Sequence, residues 1–159
     1  MRDKRFIAVH RGGLLSMEHH RQLIKWARGC AEHVFPLLNG NVDERLITAL
    51  EVADRWRKGE VLTGEAMKAS VAVHAAAREY IEPSSIFVAR AVGHAVATAH
   101  MADHSLGGAL YALKALQAAG KSIEEEKEWQ LKQLQELPSD IAYLVKATMM
   151  KKGKALKLF

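Results

Sequence analysis

Residues 94–104 read His-Ala-Val-Ala-Thr-Ala-His-Met-Ala-Asp-His, which places three of the chain's eight histidines among small, helix-forming side chains. At about 100° per residue, His100 and His104 are predicted to lie on one helix face, one turn apart, with Asp103 beside them. Small residues that let another helix come close surround this stretch, namely Gly93, Ala97, Gly107 and Gly108. The pattern predicts a closely packed helix whose imidazoles lie in a seam between helices rather than in solvent.

The chain before this stretch is also patterned for helices, and strand signals are nearly absent. Ser16 offers an N-cap for a first helix that ends near Pro36. Asn41 and Glu44 resemble a capping box that starts a second helix, and Thr63 is predicted to open a third.

Later helices follow from similar signals. A fourth helix is predicted to start at Ser84 or Ser85, and a break is expected between Asp103 and Gly108, because two glycines inside a helix cost about 2 kcal/mol relative to alanine. Further helices follow: one over residues 110–119, one opened by a capping box at Ser122 and Glu125, and one that starts at residues 138–140. The sequence thus predicts an all-α, single-domain bundle of six or seven helices with an alanine- and glycine-rich central helix pair. This domain is expected over residues 1–150, with an extended arm at 1–13 and a basic C-terminal tail at 151–159.

A short internal similarity adds a fifth residue to the seam. Residues 73–77 (Val-His-Ala-Ala-Ala) resemble residues 93–97 (Gly-His-Ala-Val-Ala), twenty positions later. Two adjacent helices with alanine-lined faces would pack antiparallel, and each would contribute a histidine, His74 and His94, to the seam. The candidate site is therefore His74, His94, His100, Asp103 and His104.

Charge and composition limit the function classes. The net charge is +5, but residues 1–5 carry +2 and residues 151–159 carry +4, which leaves about −1 for the body between them. Because a nucleic-acid domain normally carries its basic face within the fold, no nucleic-acid partner is expected. No apolar run approaches the length that spans a bilayer, and the N-terminus lacks the apolar core of a secretory signal, so a cytoplasmic protein without a membrane partner is predicted. Cys30, the single cysteine, is expected to be a buried small hydrophobe.

Two interpretations of the histidines remain open. His100 and His104 have the i, i+4 spacing that holds zinc on helices, and the H-x-x-D-H pattern with Asp103 is similar to H-x-x-E-H, provided that His74 supplies a third ligand. Alternatively, the histidines are core residues that form hydrogen bonds with the backbone or with Asp103. No phosphate loop and no nucleophile pattern is present, so no catalytic residue is assigned.

Several segments together resemble a known family. They are His10–Gly13, Trp26-Ala27 with Cys30–His33, Trp56 with Gly59-Glu60, His74–Arg78, and Gly93–His100 continuing through Asp103-His104 to Tyr111–Ala115. Over roughly residues 6–137 the chain resembles the small all-helical immunity proteins of bacterial polymorphic toxin systems. The resemblance implies a cytoplasmic protein that binds and neutralises a cognate toxin, without a cofactor and without chemistry of its own. The alternative is a metal-dependent hydrolase that uses zinc or iron at His100, Asp103 and His104; a homodimer remains open.

Overall fold

The computed structural model describes residues 2–159, and in that range the chain forms seven α-helices and no β-strand. The helices are α1 (Met17–His33), α2 (Glu44–Arg57), α3 (Thr63–Glu79), α4 (Pro83–Ala97), α5 (His104–Ala118), α6 (Glu124–Gln133) and α7 (Ser139–Ala155). This confirms the predicted all-α, single-domain fold. Met1, the first residue of the predicted arm, lies outside the described residues. Within residues 2–159, no helix is both long enough and apolar enough to cross a bilayer.

Helix α4 lies at the centre of the bundle and packs against α1, α2, α3 and α5. Its side chains are mostly alanine, glycine and valine, and Val88, Val92 and Val96 are fully buried. Small side chains on a helix surface shorten the distance to its neighbours. The most extensive helix pair is α4 with α5, which is the predicted alanine- and glycine-rich central pair.

Two hydrophobic cores lie on either side of α1 and α5. The alanine-rich core includes Ile24, Ala27, Leu46, Leu50, Trp56, Val73, Val88, Val92, Ala112 and Ala115. The leucine-rich core includes Phe6, Leu15, Leu23, Trp26, Cys30, Leu106, Leu110, Leu113, Leu144 and Met149. Because α1 and α5 contribute residues to both cores, these two helices join them. Cys30 is fully buried, as expected, and its burial raises the pKa of the thiol.

Most helices start at or close to the residues that the sequence indicated. Where a start differs, the residue that caps the helix is a different one. The Ser16 side chain accepts a hydrogen bond from the backbone N–H of His19 at 3.1 Å, and α3 begins at Thr63 as predicted. The second helix is capped by Asp43, which accepts from the N–H of Arg45, rather than by Asn41. Pro83 occupies the first position of α4, where its missing N–H costs nothing.

The break between the fourth and fifth helices lies earlier than predicted. Helix α4 ends at Ala97, residues 98–103 form turns, and the Gly107–Gly108 pair lies inside α5. The Thr98 hydroxyl donates to the carbonyl of His94 at 3.1 Å, and the backbone N–H groups of Ala99 and His100 bond to carbonyls three residues back. The glycines are kept in the helix because other side chains need the space: a Cβ on Gly108 would lie 3.1 Å from that of Ala27.

The N-terminal arm is not extended, contrary to our expectation. Two short 3-10 turns, Lys4–Phe6 and Val9–Arg11, fold it against the bundle, and an isolated bridge joins Ala8 to Leu15. Phe6 and Leu15 are 3% and 1% exposed, so the segment is anchored by apolar side chains in the leucine-rich core.

The lysine-rich C-terminal segment is likewise folded rather than a solvated tail. Residues 151–155 continue α7, and Leu158 is buried. The Phe159 ring lies against Gly153, where an added Cβ would come within 2.1 Å of the ring, and Lys127 Nζ lies 4.6 Å from the ring centroid. The lysines extend into solvent while the apolar residues between them pack inward.

Candidate functional site

The structure brings His74 and His94 together across the α3–α4 interface. The two rings meet edge to face with centroids 5.6 Å apart. The ring of His74 lies on Gly93, where an added Cβ would be 2.6 Å from Cε1, and the Ser70 hydroxyl donates to the Gly93 carbonyl at 3.2 Å. The absence of a side chain at position 93 therefore makes room for this imidazole.

A similar arrangement joins His94 to His104 across the α4–α5 interface. Their Nδ1 atoms are 3.1 Å apart, and the His94 ring lies on Gly107, where an added Cβ would be 2.5 Å from the ring. One Nδ1 must carry a hydrogen and the other must accept it, so the two rings cannot both be protonated in this arrangement. We call His74, His94 and His104 the histidine seam.

The environment of the seam favours neutral imidazoles. Burial, reinforced by His104, lowers the pKa of His94 to about 4. Burial and then the Arg90 guanidinium lower the pKa of His74, and burial lowers that of His104 despite the opposing effect of Asp103. Since a neutral imidazole with a lowered pKa is a weak base, the seam is better suited to hydrogen bonding and packing than to proton transfer at neutral pH.

His100 and Asp103 do not occupy the predicted helix face. Both precede α5 in the turns over residues 98–103, so the expected i, i+4 helical pairing of His100 with His104 is wrong, although their ring centroids are 5.5 Å apart. Asp103 accepts a hydrogen bond from Arg2 Nη2 at 3.1 Å. The early end of α4 causes this difference, because it places His100 in the turns, between His104 and the N-terminal segment, whose Arg11 donates to the His100 carbonyl at 3.2 Å.

Sequence reasoning missed two residues of the site. Arg90 Nη1 donates to His74 Nδ1 at 2.7 Å, which fixes the hydrogen of that neutral ring on Nε2. Tyr111 stacks on His94 with centroids 5.0 Å apart and an interplanar angle of 21°. Arg90 lies one helical turn before His94 on α4, and Tyr111 lies one turn after Gly107 on α5, so the i, i+4 spacing on each helix was the available signal.

The donor set does not fit the zinc or iron site considered above. The Nδ1 atoms of His94 and His104 are close enough to serve one ion, but a protein zinc site needs at least a third ligand. Across residues 2–159, no group of three or more His, Cys, Asp or Glu residues is placed to hold a metal ion. Asp103 is engaged by Arg2, and His74 Nδ1 is engaged by Arg90.

A cleft of about 390 Å³ opens beside the seam. His94, His104 and Tyr111 line one wall, and Asp103 and Lys152 add opposite charges. The cleft thus presents polar groups and aromatic surface next to α7, but no pairing of a nucleophile with a base.

Over residues 2–159, seven helices, with the small-residue helix α4 at their centre, form a single-domain bundle, and neutral imidazoles pack between α3, α4 and α5. Residues 13–137 match the model of a family described as "Imm-5 like putative immunity protein", and the chain belongs to that family. The matched region runs from the segment before α1 to Leu137, just before α7, and contains every residue of the histidine seam. Comparison with curated proteins and with solved structures found no match.

Proposed function

We propose that this protein is a cytoplasmic immunity protein, which binds a cognate bacterial toxin protein and neutralises it without chemistry of its own. The observation that carries this proposal is the family match, which covers about four-fifths of the 159 residues. A rigid bundle suits the task, since an inhibitor that is ordered before binding loses less entropy when it associates.

The exposed face at the start of α3 is our candidate for the toxin contact. Met67 and Val71 lie one turn apart on this helix and are 47% and 70% exposed, and Leu62, just before the helix, is 79% exposed. Met is enriched at protein interfaces, and the buried centre of an interface is more apolar than the surface around it. The arginines and histidines of the neighbouring N-terminal segment and α1 favour a toxin surface with acidic groups.

The deciding experiment is co-expression with the toxin encoded beside this gene. We expect rescue of growth and recovery of a stable complex on gel filtration. Failure to bind and to protect the cells would overturn the proposal.

Matched variants test the proposed face. Met67→Asp and Val71→Asp should weaken the complex by about tenfold or more, because each places a charge in an apolar contact. Tyr143→Asp on α7 is the control, since Tyr143 is 75% exposed on a different helix. Protection that is lost with Tyr143→Asp and kept with both α3 variants would place the toxin on the other side of the molecule.

A further inference from the structure

A second cleft, which we call the N-terminal cleft, lies between the segment that precedes α1 and the turns that link α4 to α5. Its volume is about 440 Å³, within the range of small-molecule sites. Arg2 and Arg11 line it from the N-terminal segment, His20 and Arg21 from α1, and His100 from the turns. Among the described residues, no acidic side chain lines it, although Asp103 pairs with Arg2 at 3.1 Å, so Arg11, Arg21 and the imidazoles give the cleft most of its cationic and polar character.

Unpartnered polar atoms gather at this cleft. Across residues 2–159, five buried side-chain nitrogen or oxygen atoms lack a hydrogen-bond partner, and three of them belong to Arg2 (Nε), His20 (Nδ1) and His100 (Nδ1). His20 is only 4% exposed. A buried polar atom without a partner costs about 1–3 kcal/mol, so a ligand that supplied partners to these three atoms would be favoured.

The hydrogen-bond polarity of these atoms limits what the ligand can be. His20 Nε2 lies 2.5 Å from the carbonyl oxygen of Thr98, which can only accept, so Nε2 carries the hydrogen and Nδ1 of the neutral ring is an acceptor. Arg2 uses Nη2 for Asp103, while its Nε–H is a free donor. The ligand must therefore offer acceptors to arginine and also bring a proton to His20.

We propose that the N-terminal cleft binds a phosphate monoester. Phosphate oxygens accept hydrogen bonds from Arg2 and Arg11. The second proton of a phosphate monoester has a pKa near 6. This proton forms a hydrogen bond between a phosphate oxygen and His20 Nδ1, and either atom can carry it. Trp56 and Val61 line the same cleft and provide apolar surface for the ester group.

Titration of the isolated protein at about pH 6.5 tests the site, and it does not require a toxin. Phenyl phosphate is the probe, with binding followed by calorimetry and by the change in tryptophan fluorescence, since Trp56 lines the cleft. We expect one site with a dissociation constant on the order of 1 mM or lower. Phenyl sulfate, which brings no proton, should bind about tenfold more weakly. Inorganic phosphate should also bind more weakly, because it lacks the apolar group.

Three outcomes of this titration would overturn the proposal. If phenyl phosphate does not saturate the protein below about 10 mM, the cleft is not a site for phosphate monoesters. Equal affinity for phenyl sulfate would show that the ligand shares no proton with His20. Equal affinity for inorganic phosphate would show that the ester group makes no favourable contact in the cleft.

A matched pair of arginine variants locates the binding. Arg2→Gln removes the free Nε–H and should weaken phenyl phosphate binding by about tenfold or more, and Arg11→Gln should also weaken it. Arg5→Gln is the control, because Arg5 is exposed, paired with Asp3 at 2.6 Å and outside the cleft. Thermal melting checks that each variant is folded. Unchanged affinity in folded Arg2→Gln, or an equal loss in Arg5→Gln, would contradict the assignment.

Discussion

Two glycines of this protein lie where an imidazole presses against a neighbouring helix. Gly93 receives the ring of His74, and Gly107 receives the ring of His94. A side chain at either position would overlap a ring that is held in place by Arg90 or His104. The conformational cost of glycine within a helix is thus offset by the close packing of the histidine seam.

Gly107→Ala should lower the free energy of unfolding by about 1–3 kcal/mol, because the new Cβ would lie 2.5 Å from the His94 ring and force it to move. Gly29→Ala in α1 is the matched control: no atom lies within 4 Å of the added Cβ, so the change should stabilise the protein by about 0.5–1 kcal/mol. Urea unfolding of both variants provides the measurement. Stabilisation by both alanines would show that the ring does not occupy this position.

His94 should make the stability of the protein depend on pH. Its pKa is about 4 in the fold, against 6.5 for the unperturbed group, because of burial and then the charges of His104, His74, Arg90 and Lys152. The unfolded chain binds more protons between these values. The free energy of unfolding should therefore fall as the pH drops from 6.5 to 4, by on the order of 2 kcal/mol from this group.

Denaturant titrations at pH 7 and pH 4.5 measure this effect. His94→Gln should show a smaller loss of stability between the two pH values, because the group that must remain neutral is gone. His10→Gln, at an exposed position of the N-terminal segment, should retain the full loss. An unchanged pH dependence in His94→Gln would show that His94 is not the group responsible.

At the scale of the helices, local signals predicted the type of each element well and its boundaries less well. Ser16 marked the start of α1 correctly, because capping depends on residues next to each other in the chain. Thr63 is the first residue of α3 as predicted, but its hydroxyl accepts from Trp56 Nε1 instead of capping the helix. The Gly107–Gly108 pair misplaced the break, since its glycines serve contacts with His94 and Ala27 that are distant in sequence. The same error put His100 on the wrong face. The position of His74 beside His94 was anticipated from a repeated segment. The i, i+4 spacing placed Arg90 and Tyr111 on the right helix faces, but their contacts with His74 and His94 cross between helices and follow only from the packing.

The C-terminal segment should contribute to stability as part of the fold. Leu158 is 8% exposed within the leucine-rich core, and its N–H bonds to the Gly153 carbonyl at 2.9 Å. Leu158→Ala should lower the free energy of unfolding by about 2–3 kcal/mol. Lys154→Ala, an exposed position of α7, should change it by less than about 0.5 kcal/mol. Equal unfolding midpoints for the two variants would mean that the segment is detached in solution.

At the scale of the whole molecule, α1 and α5 each place residues in both cores. Ile24 and Ala27 of α1 belong to the alanine-rich core, while Leu23 and Trp26 belong to the leucine-rich core. Helix α5 is divided in the same way. Neither core can lose its packing without exposing a face of a helix that the other core requires. A domain of this size with shared helices is expected to unfold in one cooperative step.

The tryptophans allow this cooperativity to be tested for each core. Trp56 lies in the alanine-rich core, whereas Trp26 lies in the leucine-rich core and Trp129 packs against it. In Trp56→Phe, fluorescence reports on the leucine-rich core; in Trp26→Phe with Trp129→Phe, it reports on the alanine-rich core. Within each variant, the fluorescence and far-UV circular dichroism transitions in urea should coincide, because loss of either core removes the support of α1 and α5. If the fluorescence midpoint differs from the circular dichroism midpoint in either variant, one core unfolds while the other remains folded. The shared helices would then not couple the two cores.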